Sequence, residues 1–157
     1  MTELRNIDEL ETLHRTTSLE NRPDGHHHIV LSHLYGWMEA VAPHYVKGRL
    51  LDFGCGGQTY RGLLEPRALG LSVANVAAAP GVALDVKIIP GQPMDVAADS
   101  FDSILSNQVL EHVPDPDFYL AEAARVLKPG GTLILTAPMQ WRHHEVPFDY
   151  YRYTKYG

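Results

Sequence analysis

An α/β fold built on a mostly parallel sheet is the architecture this sequence predicts, and three observations predict it. Strand-like apolar runs alternate with helix-like segments along the 157 residues, the pattern of strand–helix–strand units with crossover connections. The apolar run Leu50-Leu51-Asp52-Phe53 ends in a glycine-rich turn, Gly54-Cys55-Gly56-Gly57, ahead of a segment that can be helical. Lys128-Pro129-Gly130-Gly131 gives the opposite punctuation, closing a helix and turning into a strand.

The elements follow in order. Residues 1–25 are polar, with weak helical signals at Ile7, Leu10 and Leu13. Asp24 is placed to cap a helix over 26–42, where Ile29, Val30, His33, Leu34, Trp37, Met38 and Val41 lie at helical spacing and Pro43 ends it. The first strand covers 49–53. A helix over 58–64 is closed by Pro66. The second strand covers 68–73, and an alanine-rich loop covers 75–80. The third covers 82–89 in spite of Asp85 and Lys87. A loop punctuated by Pro, Gly and Asp fills 90–100. The fourth strand covers 101–106. A helix over 116–127 has Asp115 as N-cap and Pro116 in its first turn. The fifth strand covers 132–137, and an aromatic, polar tail follows. This organisation divides into an N-terminal helical cap, 1–45, and a ligand-binding α/β domain, 46–157.

Composition bounds the function. A hydrophobic content of 45% and a charged content of 20% are those of a globular domain. A net charge of −6 and a pI near 5.8 argue against a nucleic-acid binder or a binder of anionic membranes. The single cysteine, Cys55, excludes an intrachain disulfide and paired-cysteine metal sites. No apolar run reaches the length of a membrane span and the N-terminus has no signal-peptide core, so a cytoplasmic location is the expectation.

The chemistry starts at the glycine turn. Glycines there permit positive φ and close approach of a ligand, and a following helix N-terminus offers unpaired N–H groups to an anion. A nucleotide-like cofactor is expected. The dinucleotide fingerprint needs a third glycine where Thr59 stands, and no phosphate-loop string exists. Asp52-x-Gly54-Cys55-Gly56 instead resembles the first motif of the class I S-adenosylmethionine-dependent methyltransferases. Phe101-Asp102-Ser103-Ile104-Leu105-Ser106-Asn107-Gln108-Val109-Leu110-Glu111-His112-Val113 resembles that family's fourth strand and the loop after it. Ala124–Leu135 resembles its helix, turn and fifth strand.

The resemblance implies a Rossmann-like sheet and S-adenosylmethionine as cofactor. It implies cofactor contacts from Asp52, Gly54, Cys55, Gly56 and Gly57, and from Ser106, Asn107 and Gln108 beyond the fourth strand. Relatives place an acid at the end of the second strand for the ribose hydroxyls. Ser72 is read at that position here, with Asn75 as the compensating group, and Gln92 or Asp95 for the adenine amine. The tail, with its H-E-x-P-x-D-Y-x-R-Y-T pattern, resembles the substrate-side loop of small-molecule methyltransferases. Glu111, Glu145, Asp149 and Arg152 are then expected to bind a small-molecule acceptor through which an oxygen or nitrogen is methylated. His112 and His144 are the candidate general bases, since an imidazole titrates near neutral pH. A catalytically inactive methyltransferase-like scaffold is the second reading, and a dehydrogenase a distant third.

No metal is expected. His143, His144, Glu145 and Asp149 are acceptable ligand types, but adjacent histidines point apart in an extended chain and no H-E-x-x-H string occurs. The run His26-His27-His28 reads as a solvated helix start. The family sheet has seven strands and five are legible here, so the apolar fifth strand is expected to leave an open edge through which the chain forms a homo-oligomer.

Overall fold

The computed structural model describes residues 28–156. The lead-in over residues 1–25 and its helical signals lie outside the described residues. The order is α1 (His28–Tyr45), β1 (Arg49–Phe53), α2 (Arg61–Leu64), β2 (Gly70–Asn75), β3 (Val86–Lys87), β4 (Phe101–Asn107), α3 (Pro116–Val126) and β5 (Leu127–Thr136). The five strands form one sheet in the order β3-β2-β1-β4-β5, and every pairing is parallel. The expected α/β fold with a Rossmann-like sheet is what the chain adopts.

Alternation along the central strands sorts the core into two layers. Leu51, Phe53 and Ile104 face one side with Tyr119, Ala123 and Val126 of α3. Leu50 and Leu105 face the other with Met38 and Ala42 of α1 and Leu64 of α2. Burial on both faces is why the central strands read as continuous apolar runs.

Several boundaries differ from expectation, each for a local reason. Helix α1 continues past Pro43 because the prolines's missing N–H affects only its own bond, and Val46 N–H still reaches Ala42 O at 2.9 Å. Strand β2 starts and ends two residues later than expected, pairing Phe53 with Ala74. Strand β3 is only two residues long, because the Asp85 carboxylate takes Val73 N–H at 2.8 Å where a ladder carbonyl would otherwise sit. Strand β5 begins at Leu127, opposite Phe101, and then bulges through Lys128–Gly131 before Thr132 pairs with Ser103. Lys128 is therefore outside the helix, and its ammonium lies 2.7 Å from Asp102.

Asp102 closes the lower end of the sheet. Its second oxygen accepts Arg49 N–H at 2.8 Å. Gly48 makes the tight entry to β1 with φ of +51°, and a Cβ there would stand 2.3 Å from the Asp102 carboxylate. Gly48→Ala is expected to destabilise the fold by more than about 1 kcal/mol, from left-handed strain and displacement of Asp102. Urea denaturation monitored by circular dichroism measures it, and an unchanged midpoint contradicts this account.

Candidate active site

The strand order reverses direction between β1 and β4, and a crevice outside the carboxyl ends of such strands is where open α/β sheets bind ligands. A cavity of about 890 Å³ opens there. Its walls come from the turn after β1, the ends of β2 and β4, Val30, Leu31 and Leu34 of α1, and the tail from Ala137 to Tyr150.

One end is built from the first turn. Gly54 has φ of +88°, its N–H reaches Ala74 O at 2.8 Å, and a Cβ would come 2.5 Å from Val109, so glycine is required. Cys55, Gly56 and Gly57 line the cavity beside it. Burial pushes the Cys55 thiol up to about 12, with the neighbouring Asp52 charge adding to it, which removes a nucleophilic role. Asp52 is 5% exposed and lines the same end. Among the described residues no donor reaches its carboxylate, and burial pushes its pKa up to about 7.

Two expected cofactor residues lie elsewhere. Ser72 sits within β2, three residues short of the strand end, and does not line the cavity. The strand-end position belongs to Asn75, whose side-chain oxygen accepts Val76 N–H at 2.9 Å. Ser106 is fully buried beneath the cavity, its hydroxyl 2.9 Å from the Tyr119 hydroxyl. Asn107 and Gln108 do line it. Thr136 donates to Asn107 at 2.7 Å, and Gln108 holds φ of +54° with its N–H on Thr136 O. Gln92 lines the cavity and Asp95 does not.

The other end joins two segments. A short 3₁₀ turn, Leu110–His112, follows β4, and the tail folds back onto it through Tyr150 N–H to Glu111 O at 2.8 Å. His112 Nδ1–H donates to Phe148 O at 2.8 Å, which leaves the Nε2 lone pair free. That nitrogen lies 3.8 Å from Glu111 Oε1 and 3.8 Å from Glu145 Oε2. The His144 ring meets His112 edge-on, with centroids 4.7 Å apart. Glu111 is 1% exposed, and burial raises its pKa to about 7.

Asp149 and Arg152, expected on the acceptor side, do not line the cavity. The Asp149 carboxylate, 1% exposed, is held by both Arg152 terminal nitrogens, one at 2.7 Å, and by His144 N–H at 3.0 Å. The Arg152 guanidinium holds it well below the usual carboxylate range. Arg152 also donates to the carbonyls of Tyr151 and Arg142. The pair braces the loop that carries His144 and Glu145. The carbonyl of Phe148 was not identified as a site component by sequence, because a backbone acceptor leaves no side-chain signal.

The Gly54 turn and the cluster of Glu111, His112, His144 and Glu145 thus share one cavity at the switch point. Residues 51–135 match the sequence profile of a family described as "Methyltransferase domain", and the chain belongs to this S-adenosylmethionine-dependent methyltransferase family. It is 41% identical over 101 residues to a ubiquinone biosynthesis O-methyltransferase of Cereibacter sphaeroides, covering 55% of this chain and 39% of the relative. It is 36% identical over 110 residues to one of Sinorhizobium fredii, covering 60% and 43%. The chain thus spans about two fifths of the length of these curated relatives.

Asp149→Asn is expected to free the tail loop. Weakened Arg152 pairing removes a charge-assisted, two-point contact of about 1.5–3 kcal/mol. Hydrogen exchange at Arg142–Phe148 should rise at least about tenfold, while amides of β1 and β4 keep their protection. Equal protection in both proteins refutes the brace.

Proposed function

We propose that the chain binds S-adenosylmethionine in this cavity and transfers its methyl group to an oxygen or nitrogen of a small-molecule acceptor. One observation carries the proposal: a single cavity holds Asp52 and the Gly54 turn at one end and Glu111, His112, His144 and Glu145 at the other. The residues present fit the cofactor. Asp52 is a buried carboxylate with no donor among the described residues, and the cofactor's ammonium group supplies one. Gly54, Gly56 and Gly57 leave room for its methionine portion. When bound, the cofactor supplies an electrophilic methyl on a sulfonium.

The protein's part is positioning and proton management. His112, its tautomer fixed by the Phe148 carbonyl, presents the Nε2 lone pair to the acceptor's nucleophile and accepts its proton. Glu145 and Glu111 stabilise the imidazolium that forms. The relatives' names support an oxygen acceptor. No helix among the described residues is long and apolar enough to cross a membrane.

The second reading, a non-catalytic scaffold, is favoured by Asn75, whose amide offers one less charge-assisted acceptor pair to ribose hydroxyls than an acid. Titration calorimetry with S-adenosylmethionine and S-adenosylhomocysteine separates the two. Binding with turnover supports the enzyme, binding without turnover on any tested acceptor supports the scaffold, and absence of binding at millimolar ligand rejects the cofactor. His112→Ala is expected to lower methyl transfer by about 10²–10⁴-fold with cofactor affinity unchanged.

Asp52 gives the pH dependence its sign. Its folded-state pKa of about 7 exceeds the ordinary carboxylate value of 3.8. Below 3.8 it is neutral in both states and costs nothing; as pH rises toward 7 the unfolded chain ionises first and stability falls; above 7 the loss is complete. Asp52→Asn should therefore stabilise the ligand-free chain above neutral pH, by on the order of 2–4 kcal/mol, and leave acid stability unchanged. The ammonium favours the ionised form, so cofactor affinity should climb by up to about tenfold per pH unit between about pH 5.5 and 7. A flat affinity profile in the parent protein, or an unshifted denaturation midpoint at pH 8 in the variant, removes Asp52 from this role.

A further inference from the structure

We infer that the Tyr60 hydroxyl binds the carboxylate of the cofactor's methionine portion and, with Asp52, makes a site for a zwitterionic amino-acid end. This role rests on S-adenosylmethionine being the ligand of the cavity. A methionine portion carries an ammonium and a carboxylate on one carbon. With the ammonium on Asp52, the carboxylate needs a donor close by. The residues lining that end, from Asp52 to Gly57 with Thr59 and Tyr60, include no lysine or arginine. The donor there is therefore a neutral group. Two of these residues carry a side-chain hydroxyl. Thr59 is exposed to water, whereas Tyr60 is 5% exposed.

The direction of hydrogen bonding leaves the Tyr60 proton for a ligand. The Thr136 hydroxyl donates to Asn107 Oδ1 at 2.7 Å, which turns the amide N–H end of Asn107 to the Tyr60 hydroxyl it pairs with. Burial raises the Tyr60 pKa, the Asn107 bond draws it down as an N–H donor does, and the Asp52 charge raises it. The Tyr60 oxygen thus accepts from Asn107, and its O–H has no acceptor among the described residues. An unused buried proton is costly. A carboxylate takes it in a charge-assisted bond.

The ring is held in place for this contact. It stacks on Tyr35 of α1 with centroids 5.8 Å apart and planes 24° apart. The N–H groups of Leu63 and Leu64 both reach the Tyr60 carbonyl, at 3.0 and 2.9 Å. The hydroxyl is therefore positioned by α1, by α2 and, through Asn107 and Thr136, by the ends of β4 and β5. A donor fixed in advance favours a ligand that carries a carboxylate beside its amine over one that carries the amine alone.

The test is titration calorimetry of the full chain with S-adenosylmethionine and with decarboxylated S-adenosylmethionine, which keeps the amine and lacks the carboxylate. Tyr60→Phe keeps the ring and removes only the hydroxyl. The expected result is a loss of S-adenosylmethionine affinity of at least about tenfold, with affinity for the decarboxylated ligand changed by less than about twofold. Equal losses for both ligands overturn the role, since the hydroxyl then only supports the turn. Unchanged S-adenosylmethionine affinity overturns it too. Near-ultraviolet circular dichroism checks the fold. If Tyr60→Phe does not fold, Thr136→Val takes its place, because Thr136 does not line the cavity. Without the Thr136 hydroxyl, Asn107 can turn its oxygen to the Tyr60 proton. S-adenosylmethionine should then weaken at least about threefold and the decarboxylated ligand should not, and equal effects on the two again overturn the role. A parent protein that binds neither ligand refutes the cofactor reading and this role together. A parent that binds S-adenosylmethionine, with variants that do not separate the two ligands, removes this role alone.

Discussion

The spacing of two strand ends, set by one buried side chain, is what the cavity depends on. Tyr119 of α3 stacks on Phe53 with ring centroids 4.1 Å apart. Its hydroxyl donates to Phe53 O at 3.0 Å and meets Ser106 Oγ at 2.9 Å. The phenol therefore ties the last residue of β1 to the penultimate residue of β4 and holds α3 against both. Burial raises the Tyr119 pKa above its usual value, which keeps the hydroxyl neutral and able to donate. The turn bearing Gly54 and the turn bearing Glu111 both leave from this tie.

The opposite side of α3 is fastened by ions. Glu122 accepts Met94 N–H at 2.7 Å and pairs with Arg125, which donates to the carbonyls of Val96 and Met94. Loop backbone that would otherwise be unpaired is satisfied by two side chains one helical turn apart. The same economy recurs in the tail, where Asp149 and Arg152 satisfy each other and three backbone groups. Both loops bordering the cavity are thus fixed by acid–arginine pairs at i,i+3 spacing.

The sheet and α3 were legible because their signals are local. Continuous apolar runs marked β1 and β4, and Asp115 before Pro116 marked the helix start that the structure confirms, with Phe118 N–H on Asp115 at 3.0 Å. The end of β2 was not legible, because Ala74-Asn75 resembles the alanine-rich loop after it and only pairing with Phe53 distinguishes them. The misplacement of Ser72 followed from that. The turn residues Gly54–Gly57 and the Glu111-His112 pair were readable from their motifs. The pairing of Asp149 with Arg152 was not legible, because charged side chains in a loop look alike whether they face a ligand or each other. Their three-residue separation was the available signal.

The cluster of Glu111, His112, His144 and Glu145 is drawn from two stretches of chain. Residues 51–135, the segment that carries the family likeness, contain Asp52, Gly54, Glu111 and His112. His144, Glu145 and the Phe148 carbonyl lie beyond it. The family boundary therefore runs through the middle of the cavity. A change in the tail re-shapes the half of the cavity that holds His144 and leaves the half at the Gly54 turn and the Tyr119 tie untouched. The two halves of the cavity are therefore joined by a backbone contact from the tail, the Phe148 carbonyl on His112 Nδ1.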